Sequence, residues 1–401
     1  MTQQPEPARA TAPTALAERA VAPDLARGAM LLLIALANAH LFLHGHPVGV
    51  RGYPADGSTA DRVVAWVLLT FVDGRAYPLF GLLFGYGMVQ LARRLERTGT
   101  TVTATKALLR RRGRWLLLLG LLHATLLFNG DVVGAYGLLG ILFAGAVLSD
   151  DRRLLVSAGV WLVPVALLGL AMGAPTGPDV TAFFPSMGTT DPLAAAGWRV
   201  VEWVGLTLFY VLTLAAAVLG GAWAARRGLL TRPEQHVRSL RTGAVLGLGV
   251  AAAGAQPLAL MATQVWSEPT VLGLLLAASL HLVSGYAGGV GYACVAGLVV
   301  VVLRGRRGVV VEALVATGQR SLTCYLAQSV VFVSLLASYG GGLGDELGVA
   351  TVSVVAVLTW LATVVMAVLL ARAGARGPFE RLLRRLTYGP RPAVRATPYP
   401  E

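Results

Sequence analysis

The chain has 401 residues, of which 56% are hydrophobic and only 13% are charged. A soluble domain needs more polar surface than this, so the composition excludes one and predicts a membrane protein. Lysine and arginine number 33 against 20 acidic residues, and no basic stripe with interleaved aromatics occurs. Because the bases lie mainly between apolar runs, we expect the lipid bilayer, and no nucleic acid, as partner.

Residues 1–26 are rich in Ala, Pro and Thr and show no apolar periodicity, which predicts a disordered cytoplasmic tail. The first apolar run follows without a small-residue cleavage site, so we predict a retained spanning helix rather than a signal peptide. A transmembrane helical domain is predicted over 27–373, and a basic cytoplasmic C-terminal tail over 374–401.

The apolar runs predict an all-α, polytopic membrane protein with about ten transmembrane helices, since each span needs about 20 apolar residues. Two runs are interrupted, at 73–78 and at 284–292. The glycines there either line a cavity or let helices pack closely. The predicted spans are 27–46, 63–92, 114–129, 132–149, 154–172, 199–224, 242–265, 271–303, 312–338 and 350–373.

Positively charged residues concentrate in short cytoplasmic loops, and here they fall between alternate spans. This distribution predicts that both termini are cytoplasmic and that the longest outer loop is 173–197. The predicted inner bases are Arg93, Arg94, Arg97, Lys106, Arg110, Arg111, Arg112, Arg114, Arg152, Arg153, Arg226, Arg227, Arg232, Arg238, Arg241, Arg304, Arg306 and Arg307.

His123 lies near the middle of the third predicted span, where an ionisable group is energetically expensive. A neutral imidazole can take a proton from a substrate hydroxyl or amine near pH 7, so His123 is a candidate catalytic base. The alternative is a structural histidine that bridges two helices.

A second histidine group lies near the outer end of the first span, with His40 and His44 on one helix face and Asn38 and His46 close by. No HExxH or CxxC motif accompanies them, so no metal is expected. His40 either faces a polar cavity or packs structurally. In the first case His40 is a second catalytic candidate, and Asn38 is a candidate for substrate binding.

Further substrate-binding candidates are polar residues in or near the spans. Asp73 and Arg75, in the first interruption, either pair with each other or point into a site. Asp131 follows a tight turn and caps the next helix, which also carries Tyr136.

The segment 318–329 is the most polar of the spans. Tyr325 and Gln328 lie with Ser321 on one helix face and are substrate-binding candidates. Arg320 lies about two turns from the cytoplasmic end, where it is placed to bind a phosphate or carboxylate. The alternatives for Arg320 are an ion pair with Glu312 and a snorkelling side chain.

The sequence resembles the YeiB-like family of bacterial multi-pass membrane proteins, which is defined by a domain of unknown function. The resemblance extends over nearly the whole chain, in the segments RGAMLLLIALANAH (27–40), PLFGLLFGYGMVQLARR (78–94), RRGRWLLLLGLLHATLLFNGDVVGAYGLLG (111–140), GQRSLTCYLAQS (318–329) and GPFERLLRRLTYG (377–389).

The first helix ending in a histidine, the PLFxxLFGxG helix and the basic loop after it are also similar to transmembrane acyltransferases, including the lysosomal heparan acetyltransferase group. That resemblance implies acyl transfer from cytoplasmic acyl-CoA or acetyl-CoA to an outward-facing acceptor. It implies His40 or His123 as the base, Arg75 toward acceptor or CoA phosphates, and Arg320 with the basic inner loops, including Arg114, as cofactor-binding residues. No single histidine matches the acyltransferase pattern cleanly.

Two function classes follow from these residues. The first is an O- or N-acyltransferase of the cell membrane that acts on a small-molecule, lipid or glycan acceptor. The second is a small-molecule transporter or exporter, although the interruptions do not occupy corresponding positions of two halves. A structural membrane component explains the buried polar residues less well, and homo-oligomerisation stays open.

Overall fold

The computed structural model describes residues 20–175, 177, 179–306 and 308–389. Over these residues the chain is all-helical, with β pairing limited to isolated bridges, which confirms the predicted fold class. The first helix begins at Val21, before the expected limit of the first span, and residues 1–19 of the predicted tail lie outside the described residues. Part of the predicted C-terminal tail forms a helix, and its residues 390–401 also lie outside.

Fifteen α-helices form the described chain, and every predicted span coincides with one or two of them. They are α1 (Val21–Ala39), α2 (Thr59–Phe71), α3 (Ala76–Arg97), α4 (Val102–Leu126), α5 (Val133–Leu142), α6 (Asp151–Val160), α7 (Leu162–Met172), α8 (Pro185–Gly188), α9 (Pro192–Arg227), α10 (Val237–Ala262), α11 (Val271–Leu303), α12 (Val309–Gln319), α13 (Ser321–Leu336), α14 (Val349–Arg372) and α15 (Pro378–Tyr388).

Among the described residues, seven helical segments are long and apolar enough to cross a membrane, so the protein is a multi-pass membrane protein. They contain α1, the α2–α3 pair, the α6–α7 pair, α9, α10, α11 and α14. The helices α5, α12 and α13 are apolar but shorter. The predicted number of ten spans and the orientation of the termini stay predictions.

The interruption predicted at 73–78 is confirmed, because α2 ends at Phe71 and α3 begins at Ala76. Gly74 adopts a positive φ of 76° in the break, a conformation that costs glycine little. The second interruption, at 284–292, is wrong, since α11 runs unbroken through it.

The glycines of α11 serve close packing instead. A Cβ at Gly285 would collide with the carbonyl oxygen of Gly74, and one at Gly288 would lie 2.7 Å from Cγ of Arg75. These glycines let α11 approach the break between α2 and α3. The glycines at 284–292 are therefore explained by close helix packing and not by a second break in the helix.

The turn between α4 and α5 is buried, with Asn129 and Asp131 fully inaccessible. The two helices contact each other through glycines, and α5 has only 10 residues, or roughly 15 Å of helix. That length is about half of the hydrocarbon core. The pair α4–α5 therefore forms a hairpin whose tip lies inside the protein, which brings its polar turn residues into the core.

The chain also breaks at Arg320, between α12 and α13, and charged side chains bind the helix ends on both sides of this break. Arg320 is buried and donates to the carbonyls of Ala316, in the last turn of α12, and of Ala375. Glu380 on α15 accepts from the N–H groups of Leu322 and Thr323, at the start of α13. A cation at a helix C-terminus and an anion at an N-terminus both oppose the helix dipole favourably.

Candidate active site

A cavity of about 1250 Å³ lies between α1, α3, α4, α5, α9, α13 and α15, at the end of the bundle predicted to be cytoplasmic. Within the part of the chain that the structure describes, its lining contains ten arginines and two acids, Asp24 and Glu380. We call it the arginine cavity, after Arg27, Arg93, Arg94, Arg97, Arg112, Arg226, Arg227, Arg232, Arg376 and Arg384.

Several of these arginines also hold the fold together. Arg27 pairs with Asp24 at 2.9 Å, while Arg226 and Arg227 share the carboxylate of Asp151. Ten guanidinium groups against two lining carboxylates leave a strong positive potential in a cavity walled by apolar helices. Guanidinium groups match the geometry of phosphates, so the cavity suits a polyanionic ligand.

The inner end of the arginine cavity is aromatic. Tyr136 and Tyr325 both line it and are otherwise buried, and Phe84 stacks on Tyr136 with 5.0 Å between ring centroids. The Tyr136 hydroxyl is buried without a hydrogen-bond partner. The cavity therefore changes from a basic entrance to an aromatic floor that carries an unpaired polar group.

His123 lies directly behind this floor, its imidazole centroid 5.1 Å from the ring centroid of Tyr325. Its Nδ1 lies 2.8 Å from Oδ1 of Asp131, and its Nε2 lies 2.8 Å from Oγ of Ser329. All three side chains are buried, with exposed fractions of 4% for His123 and Ser329 and 0% for Asp131. The hairpin α4–α5 and the helix α13 thus meet in a Ser–His–Asp arrangement.

The hydrogen bonds fix the tautomer of His123. A carboxylate only accepts, so Nδ1 carries the proton and donates it to Asp131, whose Oδ2 also accepts the N–H of Gly134 at 2.6 Å. Nε2 is then left with its lone pair and accepts the hydroxyl proton of Ser329. This is the state in which an imidazole can act as a base.

Two more polar side chains are buried near this arrangement. Asn129, in the same turn as Asp131, has neither amide atom hydrogen-bonded. Gln328 donates weakly to the carbonyl of Leu31, at 3.4 Å, and its amide oxygen is unpaired. Unpaired buried polar atoms are costly for stability, which points to a site built for a ligand or ordered water.

A second polar cluster surrounds the break between α2 and α3. Asp73 pairs with Arg51 through Oδ1 at 3.0 Å and Oδ2 at 3.1 Å, so the alternative in which it pairs with the Arg75 side chain is not realised. Arg75 is buried and contacts Nε2 of His281 at 2.6 Å and the carbonyl of Ala251 at 2.7 Å. We call Arg51, Asp73, Arg75 and His281 the second polar cluster.

His40 is buried beside this cluster and stacks on Tyr53, with 4.2 Å between ring centroids and nearly parallel planes. Burial and the nearby Asp73 carboxylate raise the pKa of the Tyr53 phenol well above its usual value, so this tyrosine stays neutral. His44 and His46 separate from His40, because they contact Ser338 and Asp56 instead. The histidine group of the first span is therefore dispersed.

The candidate residues from the sequence thus fall into two groups in the structure, and three of them belong to neither group. His123, Asp131, Tyr136 and Tyr325 converge at the inner end of the arginine cavity, with Gln328 buried on the same helix as Tyr325, whereas His40, Asp73 and Arg75 converge on the second polar cluster. Asn38 is partly exposed on α1 and makes no side-chain hydrogen bond that joins it to either group. Neither Arg114, which is exposed, nor Arg320, which binds carbonyls, lines the cavity.

Sequence reasoning missed Ser329, Arg51 and the role of His281, whereas seven of the ten cavity arginines are among the predicted inner bases. Ser329 lies one helical turn after Tyr325 in the most polar span, and that spacing alone could have indicated a shared helix face. The contact of Arg51 with Asp73 joins two loops, and no local pattern predicts it. Within the described residues, no group of three or more His, Cys, Asp or Glu side chains is placed to hold a metal.

Residues 224–390 match a family model described as "Protein of unknown function (DUF418)". The uncharacterized protein YxaH of Bacillus subtilis (strain 168) is 26% identical, over 94% of this chain and 96% of its own length. The uncharacterized protein YeiB of Escherichia coli (strain K12) is 28% identical, over 92% of this chain and 96% of its own length. These matches support the resemblance of the chain to the YeiB-like family.

The region matched by the family model runs from the end of α9 to α15 and contains Ser329. His123 and Asp131 lie before it, within the longer stretches over which the two relatives align. The descriptions of the family and of both relatives give no reaction. The acyltransferase likeness of this chain therefore stays a prediction.

Proposed function

We propose that this chain is a transmembrane acyltransferase of the cell membrane, which takes an acyl group from cytoplasmic acyl-CoA and transfers it to an outward-facing acceptor. One observation carries the proposal: the arginine cavity ends beside a histidine that is oriented by a buried aspartate. The proposal takes His123 as the catalytic base, because it contacts Tyr325 of the cavity lining, whereas His40 stacks on Tyr53 beside the second polar cluster.

The entrance of the cavity supports a nucleotide thioester as donor. Its volume of about 1250 Å³ exceeds the roughly 300–1,000 Å³ of common small-molecule sites. CoA carries its negative charge on phosphates, and Arg97, Arg232 and Arg384 make no side-chain hydrogen bond or ion pair with described residues. These three guanidinium groups are the ones we assign to the phosphates.

The aromatic floor supports the placement of the thioester end. Phe80, Phe84 and Tyr136 line the inner cavity and exclude water from it, which protects a reactive thioester from hydrolysis. The Tyr136 hydroxyl, which has no other partner, can donate to a carbonyl oxygen there. Tyr325 separates this end of the cavity from His123, so its side chain must move when the acyl group arrives.

The chemistry then follows from the tautomer of His123. Nε2 accepts a proton from a hydroxyl or amine, and the freed oxygen or nitrogen attacks the thioester carbonyl while the carbon–sulfur bond breaks. The imidazolium is stabilised by Asp131 and returns the proton to the departing thiolate, so the products are free CoA and an acylated acceptor.

The second polar cluster supports a route to the other face. Asp73 is buried and Arg51 is partly buried near His40 and Tyr53, in loops between helices at the end opposite to the arginine cavity. Polar groups that are expensive to bury mark pathways or binding sites in membrane proteins. In the proposal this cluster receives the acceptor, which is a lipid, a glycan or a small metabolite.

The donor end is tested by binding of CoA and acetyl-CoA to the purified full-length protein in nanodiscs. Arg232→Gln with Arg384→Gln is expected to weaken the Kd by about tenfold for each lost phosphate contact. Arg241→Gln, an exposed change on α10 outside the cavity, is the matched control and leaves the Kd unchanged. Binding of equal strength in all three proteins would refute the assignment of the cavity to CoA.

The reaction is tested with radiolabelled acetyl-CoA and a membrane lipid and glycan extract as acceptor. Wild-type protein is expected to transfer the label and to release free CoA, and His123→Ala is expected to lose both activities. Accumulation of an unmodified solute in vesicles, without transfer of any label, would instead identify a transporter. His123→Ala with full transfer activity would overturn the catalytic assignment.

A further inference from the structure

Ser329 has a position that the proposed reaction does not use. Its hydroxyl lies 2.8 Å from Nε2 of His123, on the side of the imidazole opposite to Asp131. The other contact of its Oγ is the carbonyl of Tyr325 on its own helix, at 3.5 Å, which is at the limit of a hydrogen bond. The short bond to the base therefore determines where the hydroxyl proton points.

Buried serines in helices usually satisfy their hydroxyl within the helix. Ser284 on α11 is such a case, because it is buried to the same degree and donates to the carbonyl of His281 in the preceding turn. Ser329 departs from this pattern by donating to a base on another helix. A serine whose proton is held by an aspartate-oriented histidine is the arrangement of an activated nucleophile.

We propose that Ser329 is the nucleophile of this site and carries the acyl group as an ester between the donor and the acceptor. The inference rests on the proposed acyl transfer and deepens it, because it divides the transfer into two steps. Each step needs the same proton transfer through Nε2 of His123, and neither needs a co-reactant beyond the acyl thioester and the acceptor hydroxyl or amine.

In the first step Oγ of Ser329 attacks the thioester carbonyl. The oxygen–carbon bond forms, the carbon–sulfur bond breaks, and the serine proton passes through Nε2 of His123 to the departing thiolate. In the second step Nε2 takes the proton of the acceptor, whose oxygen or nitrogen attacks the serine ester. The serine oxygen leaves and recovers its proton from the imidazolium.

The surroundings of Ser329 fit a covalent carrier. Tyr325 lines the arginine cavity and lies one turn before Ser329 on α13, so the hydroxyl lies one helical turn from a residue of the cavity wall. Asn129, in the turn that holds Asp131, brings a buried amide whose N–H groups are unpaired and able to stabilise an oxyanion. A covalent ester also lets CoA leave before the acceptor arrives.

The experiment uses the full-length protein in nanodiscs, incubated with radiolabelled acetyl-CoA in the absence of an acceptor. We expect an acetyl group on the peptide that contains Ser329, identified by mass spectrometry, with release of one equivalent of CoA. Ser329→Ala is expected to lose the adduct and to reduce transfer at least roughly 1,000-fold. Ser284→Ala is the matched control and keeps both.

A second variant covers the case in which Ser329→Ala fails to fold. Ser329→Cys keeps a nucleophile in place and is expected to form an acetyl thioester that neutral hydroxylamine cleaves, whereas the wild-type ester resists that treatment. This difference in reactivity toward hydroxylamine identifies the atom that carries the acyl group. If the hydroxyl of Ser329 had only a structural role, the serine and cysteine variants would show no such difference.

The other results overturn the inference in distinguishable ways. If Ser329→Ala transfers acetyl groups at the wild-type rate, or no adduct forms on Ser329 or Cys at that position, direct transfer replaces the covalent step and the proposed function stands. If the wild-type protein binds acetyl-CoA but transfers nothing to any acceptor and forms no adduct, both the carrier and the acyltransferase are refuted.

Discussion

Replacement of Asp131 by asparagine tests the central feature of the site, the oriented imidazole. Asp131 accepts two buried N–H groups at once, those of His123 Nδ1 and of Gly134. The two donors bind different oxygens of Asp131, and asparagine in the same orientation has an oxygen at only one of these positions and an NH₂ group at the other, so it accepts from only one donor. If the amide NH₂ faces His123, Nδ1 becomes the acceptor and the proton moves to Nε2, which then no longer accepts a proton from a substrate or from Ser329.

The magnitudes differ between two substitutions. Asp131→Ala leaves two buried donors without acceptors, at about 1–3 kcal/mol each, which gives a loss of roughly 2–6 kcal/mol in the free energy of unfolding. Asp131→Asn leaves one, so the loss is roughly 1–3 kcal/mol. Activity should respond more strongly, because the same aspartate-to-asparagine change in a serine protease triad lowers kcat about 10⁴-fold through the wrong tautomer.

The measurements are thermal unfolding in detergent, followed by tryptophan fluorescence, and transfer of radiolabelled acetyl groups. Asp150→Asn is the matched control, since Asp150 is an exposed N-cap of α6 and asparagine caps a helix equally well. We expect Asp131→Asn to abolish transfer while the protein still unfolds cooperatively. Wild-type transfer by Asp131→Asn would refute the argument that this carboxylate sets the tautomer of the base.

Three further predictions concern the packing and the charges of the fold. Gly221→Ala places a Cβ against the carbonyl of Leu82 and should lower the free energy of unfolding by about 1–3 kcal/mol. Gly220→Ala, whose Cβ would have nothing within 4 Å, should raise the free energy of unfolding by up to about 1 kcal/mol. Equal shifts of the melting temperature in the two variants would contradict this argument. Asp73→Ala leaves the partly buried Arg51 unpaired and should cost up to about 3 kcal/mol in chemical unfolding, with partial recovery in the double variant that also carries Arg51→Ala. No recovery would refute the pairing argument. Glu380→Ala removes the acceptor at the start of α13 and should speed tryptic cleavage within α15, and an unchanged cleavage rate would show that other contacts hold this helix.

The fold class could be predicted from composition because a bilayer leaves few alternatives to an apolar helix. The same reasoning failed at 284–292, where a cluster of glycines suggested a break. A glycine in a helix can serve either a turn or a close contact, and only the neighbouring helix decides between them. Here the neighbour is the break at Gly74, which the sequence did predict.

The candidate site could be predicted in part, for a related reason. His123, Asp131 and Tyr325 are recognisable because polar groups in apolar runs are expensive and need an explanation. The prediction that Arg320 binds a phosphate rested on its depth in a span, but a break in the helix gives its guanidinium two carbonyls to bind. The partner of a charged residue depends on tertiary contacts, and one sequence does not contain them.

The buried hairpin α4–α5 limits which segments can be exchanged between related chains. The base and its aspartate come from residue positions 123 and 131, while the hydroxyl that faces the base comes from position 329, inside the region matched by the family model. A chimera of two relatives with its junction between these positions would combine a hairpin and a helix α13 of different ancestry. The two segments should therefore be inherited together, and the region 224–390 should not work as a transplantable module.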